Sequence, residues 1–216
     1  MCAMLRLSVI ILLAFSYPSF HILLPTLPNA DIPRAKLLAT SANLPVEPDP
    51  IAMAYDPANQ AVYLADPVGN TVSVINSTTN TVVAQIPVGS EPVALLYDPV
   101  NTYVYVANNG SGTISILTSI PNPGSLKAVV DGPHPHKMAF DAANSLVYVA
   151  NAGNATISVL SSSSSPTLVT TVSTGINSAD LSYNPVNRLM YVDNPLFGTV
   201  SAINSTNAVV ATIAVD

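Results

Sequence analysis

Residues 61–89 read AVYLADPVGNTVSVINSTTNTVVAQIPVG. Ala61 to Ala65 is an apolar run closed by Asp66-Pro67-Val68-Gly69-Asn70, a cluster of turn-forming residues. Thr71 to Ile75 then alternates polar and apolar, the period-2 pattern of a half-buried strand. Asn76-Ser77-Thr78-Thr79-Asn80 turns the chain again, and Val82 to Val88 makes another strand that Gly89 releases. Upstream, Ile51 to Tyr55 is apolar and Asp56-Pro57-Ala58-Asn59 is a turn, with Asp at its first position and Pro presetting φ at the second. Four short strands joined by short turns predict an antiparallel meander.

The pattern recurs. Tyr63, Tyr105, Tyr148 and Tyr191 fall at intervals of 42, 43 and 43 residues. Asp56, Asp98, Asp141 and Asn184 keep step with them, as do Thr71, Thr113, Thr156 and Thr199. Gly89, Gly132 and Gly175 fall 43 apart, with Asp216 in the next equivalent place. A four-stranded unit of this length in tandem is the signature of a β-propeller blade, because one such sheet buries its two faces only by stacking on neighbours. The expected fold is therefore all-β, a β-propeller of four-stranded antiparallel blades over about 50–91, 92–134, 135–177 and 178–216. Leu44-Pro45-Val46 with Glu47-Pro48-Asp49-Pro50 repeats the end of a blade, so 31–49 reads as a linker followed by one preceding outer strand. Four units either close as a small ring or leave an open arc that needs a partner copy or further blades.

Residues 1–30 have the layout of a signal peptide or N-terminal anchor. A short start carrying Arg6 precedes the apolar run Leu7 to Phe15, and Ala14-Phe15-Ser16 offers a cleavage site. Pro18 and His21 make an uncleaved anchor reaching Leu24 a poor spanning helix. The expected location is extracellular or at the cell surface, with membrane contact only through this segment. Charged residues make up 8% of the chain against 49% hydrophobic, and the net charge is −6. Past residue 50 the bases are Lys127, Lys137 and Arg188, which argues against a nucleic-acid partner. Cys2, the single cysteine, lies in the leader, so no disulfide or cysteine-ligated metal is expected in the mature fold.

Site chemistry is sparse. Calcium needs several oxygens converging in one loop, whereas Asp56, Asp98 and Asp141 each supply one carboxylate beside a turn. They read as turn caps, and Asp66, Asn108, Asn151 and Asn194 as side chains bonding their own backbone. His134-Pro135-His136 could begin a metal site, but no third ligand is signalled. With Asp131 and Lys137 these histidines form the most polar inter-blade loop, the best candidate for ligand contact. Ser161 to Ser165 reads as a solvated loop, since no Gly-x-Ser-x-Gly elbow is present. No catalytic residue, metal or cofactor is expected. Asn76, Asn109, Asn154 and Asn204 head N-glycosylation sequons.

The repeats Tyr105-Val106-Ala107-Asn108 and Tyr148-Val149-Ala150-Asn151 resemble the YVTN β-propeller repeat family of surface-layer and other exported proteins. Tyr63-Leu64-Ala65-Asp66 and Tyr191-Val192-Asp193-Asn194 are looser copies. The resemblance covers about 37–216 and implies a non-catalytic module that binds protein or glycan at the cell surface, self-associates through its terminal blades, or joins a surface layer. The alternative it implies is an exported propeller enzyme, lactonase-like or quinoprotein-like, or a small-ligand sensor, acting at the central channel. For that role the chain offers His134, His136, Asp131 and Asp180 as scattered candidates.

Overall fold

A computed structural model describes residues 50–119, 123–130, 132–174 and 180–215, all within one compact unit, Ser41–Asp216. The leader, the linker and preceding strand, Asp131, Gly175 and Asp216 lie outside the described residues. The first sheet comprises β1 (Ala52–Asp56), β2 (Ala61–Asp66), β3 (Thr71–Asn76) and β4 (Thr81–Pro87). The second comprises β5 (Pro92–Tyr97), β6 (Val104–Asn108), β7 (Thr113–Thr118) and β8 (Gly124–Val130). β9 (Pro135–Asp141), β10 (Leu146–Asn151), β11 (Thr156–Ser161) and β12 (Leu168–Ser173) form the third, and β13 (Leu181–Asn184), β14 (Leu189–Asn194), β15 (Thr199–Ile203) and β16 (Val209–Ala214) the fourth. Every sheet is an antiparallel meander in chain order, the arrangement of a propeller blade. No helix among the described residues is long and apolar enough to cross a membrane.

The turns form for the reason the side chains suggest. Asp56, Asp98 and Asp141 each accept, through Oδ1, the N–H two residues ahead, on Ala58, Val100 and Ala143, at 2.9 Å. Asn184 does the same for Val186. Such Asx turns preset the hairpin and leave the strands on either side free to pair.

Asn108, Asn151 and Asn194 depart from the expected local cap. Their amides reach across the hairpin to Ser115, Ser158 and Ser201 at 2.9, 2.8 and 3.0 Å. All three asparagines are buried, with the chain entering from the preceding blade lying against them. Gly89 passes so near that a Cβ there would sit 2.7 Å from the Asn108 side chain, and one at Gly132 would sit 2.9 Å from Asn151.

The third strands also differ from a half-buried strand. In β7 four successive residues, Ile114 to Leu117, are buried, Ser115 included, because blade 3 covers one face and blade 1 the other. A β-bulge recurs at Val74/Ile75, Ile116/Leu117, Val159/Leu160 and Ala202/Ile203, where the partner is the fourth strand. The extra residue lies in the fourth strand, Val83 in the first sheet, Val169 in the third and Val210 in the fourth, and it shifts the face that strand presents.

Three apolar cores join the blades in chain order. Tyr63, Val72, Val74 and Ile86 of blade 1 meet Val104, Val106 and Leu117 of blade 2. Tyr105, Ile114 and Ile116 of blade 2 meet Val147, Val149 and Leu160 of blade 3. Tyr148, Ile157, Val159 and Val172 of blade 3 meet Leu181, Met190, Val192 and Ile203 of blade 4. Each blade thus offers a tyrosine face forward and a branched aliphatic face backward. Fully burying one such Val, Leu or Ile side chain is worth about 1.5–3 kcal/mol.

Candidate functional site

The first strands of successive blades pack on one another, β1 on β5, β5 on β9 and β9 on β13, and so build the inner wall. Three of them line a cavity of about 310 Å³ bordered by Ala52, Met53, Ala94, Leu95, Lys137 and Met138. Ala52, Ala94 and Lys137 occupy the same place in three blades, each paired across to an alanine of the second strand: Ala65, Ala107 and Ala150. The side chains there are small or apolar apart from Lys137, while most of the cavity's exposed lining is polar, so a small molecule would meet polar groups beside one cation. Lys137 is exposed beside that wall.

Blade 4 breaks the column. Asp180 stands where the other blades carry Ala52, Ala94 and Lys137, and Asp193 stands where they carry buried Ala65, Ala107 and Ala150. The two acids face each other across the start of the β13–β14 ladder. Asp193 donates its N–H to the Asp180 carbonyl at 3.1 Å, and the Asp193 carboxylate accepts the Asp180 N–H. Asp180 Oδ1 in turn accepts the Leu181 N–H at 2.8 Å. Like charges directly opposite in a ladder are destabilising, and here backbone donors offset part of that cost. Both acids border a second cavity of about 450 Å³, lined also by Leu181, Ser182, Tyr191 and Val200. A carboxylate pair in an apolar cleft can hold a water and take its proton.

The loop expected to contact ligand comes apart. Pro135 already begins β9, so Lys137 joins the inner wall while His134 stays outside it. His134 is exposed in the left-handed region at φ 58°. Its ring Nδ1 lies 3.2 Å from Asn109 Oδ1, and its carbonyl accepts the Ala152 N–H. His136 is half-buried in the column of Ile51 and Val93. Among the described residues no three His, Cys, Asp or Glu side chains gather closely enough to hold a metal ion.

Of the sequon asparagines, Asn154 is exposed, Asn76 and Asn204 accept turn N–H groups through Oδ1, and Asn109 donates to the Pro135 carbonyl. Sequence reasoning missed Asp193. Its signal was one acid in a column that otherwise reads Ala.

Burial raises the blade tyrosines. Tyr148 is pushed up to about 12 mainly by desolvation, with Asp141 adding to it, and its hydroxyl donates to Asn207 Oδ1 at 2.7 Å. Tyr105 is likewise raised by burial. Both belong to the interfaces between blades.

A family model described as "Lactonase, 7-bladed beta-propeller" matches residues 33–211. None of the curated proteins matches the chain. Among solved structures it is similar to the hydrazine synthase of Kuenenia stuttgartiensis, with a TM-score of 0.70, 18% identity, and coverage of 82% of this chain and 52% of that one. It is also similar to a functionally unknown protein from Desulfotomaculum acetoxidans DSM 771, at TM-score 0.66 and 18% identity over 79% of this chain and 59% of the other. A protein from Bacteroides uniformis ATCC 8492 put forward as a 6-phosphogluconolactonase gives 0.65 and 17% over 78% and 58%. At these identities the likeness is one of fold, and the chain spans a little over half the length of those structures.

The family match overturns the expectation that the chain is not an enzyme, and the non-catalytic surface module is without support. That expectation came from seeking reactive groups within one loop. A propeller instead places one residue per blade on the inner wall, 43 positions apart in sequence.

Proposed function

The chain belongs to the lactonase family of seven-bladed β-propellers, and we propose that it hydrolyses small cyclic esters at the inner wall of its blades. The match of that family over residues 33–211 carries the reading. The described blades supply suitable groups in two separate cavities: a small cleft with the Lys137 ammonium for the developing oxyanion, and the Asp180–Asp193 pair for water. One carboxylate takes a proton as the water oxygen bonds to the ester carbonyl carbon. The bond from that carbon to the ring oxygen then breaks, and the proton passes to the ring oxygen. The product is the open hydroxy acid, and no oxidant or reductant is needed.

The test is acid release from glucono-δ-lactone and γ-butyrolactone by the full chain in a pH-stat. Asp193→Asn lowers the rate roughly 100-fold, the scale of a lost general base, with an unchanged circular dichroism spectrum. Equal rates for the variant and the parent protein, or no acid release above buffer, overturn the reading.

A further inference from the structure

All the Asn-x-Ser/Thr sequons fall at turns, and the structure sets one apart from the rest. Asn204 Oδ1 accepts the Thr206 hydroxyl at 2.8 Å and the N–H groups of Thr206 and Ala208 at 3.0 Å. Asn154 Oδ1 accepts the Thr156 hydroxyl at 2.7 Å, so in both sequons the third residue bonds the first. Asn76 Oδ1 accepts the Thr78 and Thr79 N–H groups at 2.9 and 3.1 Å. In each case the carbonyl oxygen holds the turn. The amide nitrogen, on the other side of Cγ, makes no hydrogen bond among the described residues. Asn154 is exposed, and Asn76 and Asn204 are half-buried beside the exposed turn residues Thr78, Thr79, Ser205 and Thr206.

Asn109 is placed differently. Its Oδ1 lies 3.2 Å from His134 Nδ1, and its Nδ2 donates to the Pro135 carbonyl at 3.3 Å. Both ends of the amide are therefore engaged by the chain entering blade 3. The next residue is crowded too, since a Cβ on Gly110 would sit 2.9 Å from Ser90 Oγ. A sugar on this nitrogen has to displace these contacts.

We propose that the chain is exported and that Asn76, Asn154 and Asn204 carry N-linked glycans while Asn109 stays bare. The export is that of the leader expected at 1–30. The donor is an oligosaccharide on a polyisoprenyl diphosphate. The bond from Nδ2 to the sugar C1 forms as the bond from C1 to the phosphate oxygen breaks. The diphosphate keeps that electron pair, and the transferase takes the Nδ2 proton. Oδ1 is untouched, so the turn bonds persist in the modified chain. Asn76 and Asn204 head the hairpins between third and fourth strands, at the end of the sheets where the first hairpins leave Val100 and Val186 55% and 91% exposed. Sugar hydroxyls hydrate a surface that has few charges of its own. None of this depends on the lactone reading.

Peptide mass spectrometry on the full protein made by its own cells tests the assignment. An amidase that releases N-glycans in heavy-oxygen water converts each modified asparagine to a labelled aspartate. The expected label falls on positions 76, 154 and 204 and not on 109, and the intact mass drops by three glycans. Thr206→Ala and Asn154→Gln each remove one glycan from the intact mass, whereas Ser111→Ala, which destroys the sequon of Asn109, removes none. A bare chain, label at position 109, a missing label at any of the other three, or protein retained inside the cell overturns the proposal.

Discussion

Ile86 and Ile213 are the same residue at the same register, each opposite a valine of its third strand, Val72 or Val200. One is 4% exposed and the other 45%. The strand sequences hardly differ, so the difference lies in what stands beyond them: blade 2 covers the first, and no described residue of this chain covers the second. Burial in this molecule is conferred by the neighbour rather than by the strand. Half of each blade's apolar pattern is written for a surface it does not itself possess.

The sharpest way to break that comparison is to truncate both residues. Ile86→Ala costs about 2–5 kcal/mol, by lost transfer energy and the cavity left in a packed interface. Ile213→Ala costs under about 1 kcal/mol in the monomer, because water already reaches the site. Urea unfolding midpoints measure both. Equal losses would mean that the forward face of blade 4 is covered in solution.

Alkaline pH separates the same two regions less strongly. Tyr148, in the core between blades 3 and 4, has its hydroxyl raised from 10.0 to about 12 by burial. A raised folded value means the stability is fully present below pH 10, where both states keep the proton. It is lost as pH climbs from 10 to 12, because the unfolded chain ionises first. Two units correspond to about 3 kcal/mol. Thermal melts across that window fall steeply in the parent protein and less so in Tyr148→Phe, whose melt at neutral pH is lower by the lost bond to Asn207.

The smallest effect concerns one irregular copy. Asn59 and Asn144 donate to Oδ2 of Asp56 and Asp141, whereas Asn101 turns instead to the Tyr105 hydroxyl. The following blade then presents Phe140 where its counterparts are Tyr97 and Tyr183. Asp98 Oδ2 is left buried with no hydrogen bond of ordinary geometry among the described residues. Phe140→Tyr returns a donor and raises stability by about 1 kcal/mol, read as a higher urea midpoint. An unchanged or lower midpoint would show that the carboxylate is met by water instead.

Much of this architecture was legible in the residues. The tyrosine and aspartate columns set the blade period, and the Asp-Pro turns follow from side-chain chemistry acting within four residues. The burial of Ser115 was not legible, because a polar residue in an alternating strand looks solvent-facing until a second blade covers it. The histidine loop misled for a related reason. His134 and Lys137 are three residues apart, yet strand β9 begins between them and sends one to a turn and the other to the inner wall. Asp180 was visible as a lone acid. Its partner was not, because Asp193 lies across a hairpin and gains meaning only against the alanines that hold its place elsewhere.

The repeated match of forward tyrosine face to backward aliphatic face has a bearing on how such chains lengthen. Since any blade's leading surface fits any other's trailing surface, duplicating one copy within the gene inserts a unit between two neighbours without requiring a new joint. Copy number can drift in this way while every contact type is preserved. An irregular copy such as the one carrying Asp98 and Phe140 is then tolerated as a local flaw, because its neighbours read only its two faces.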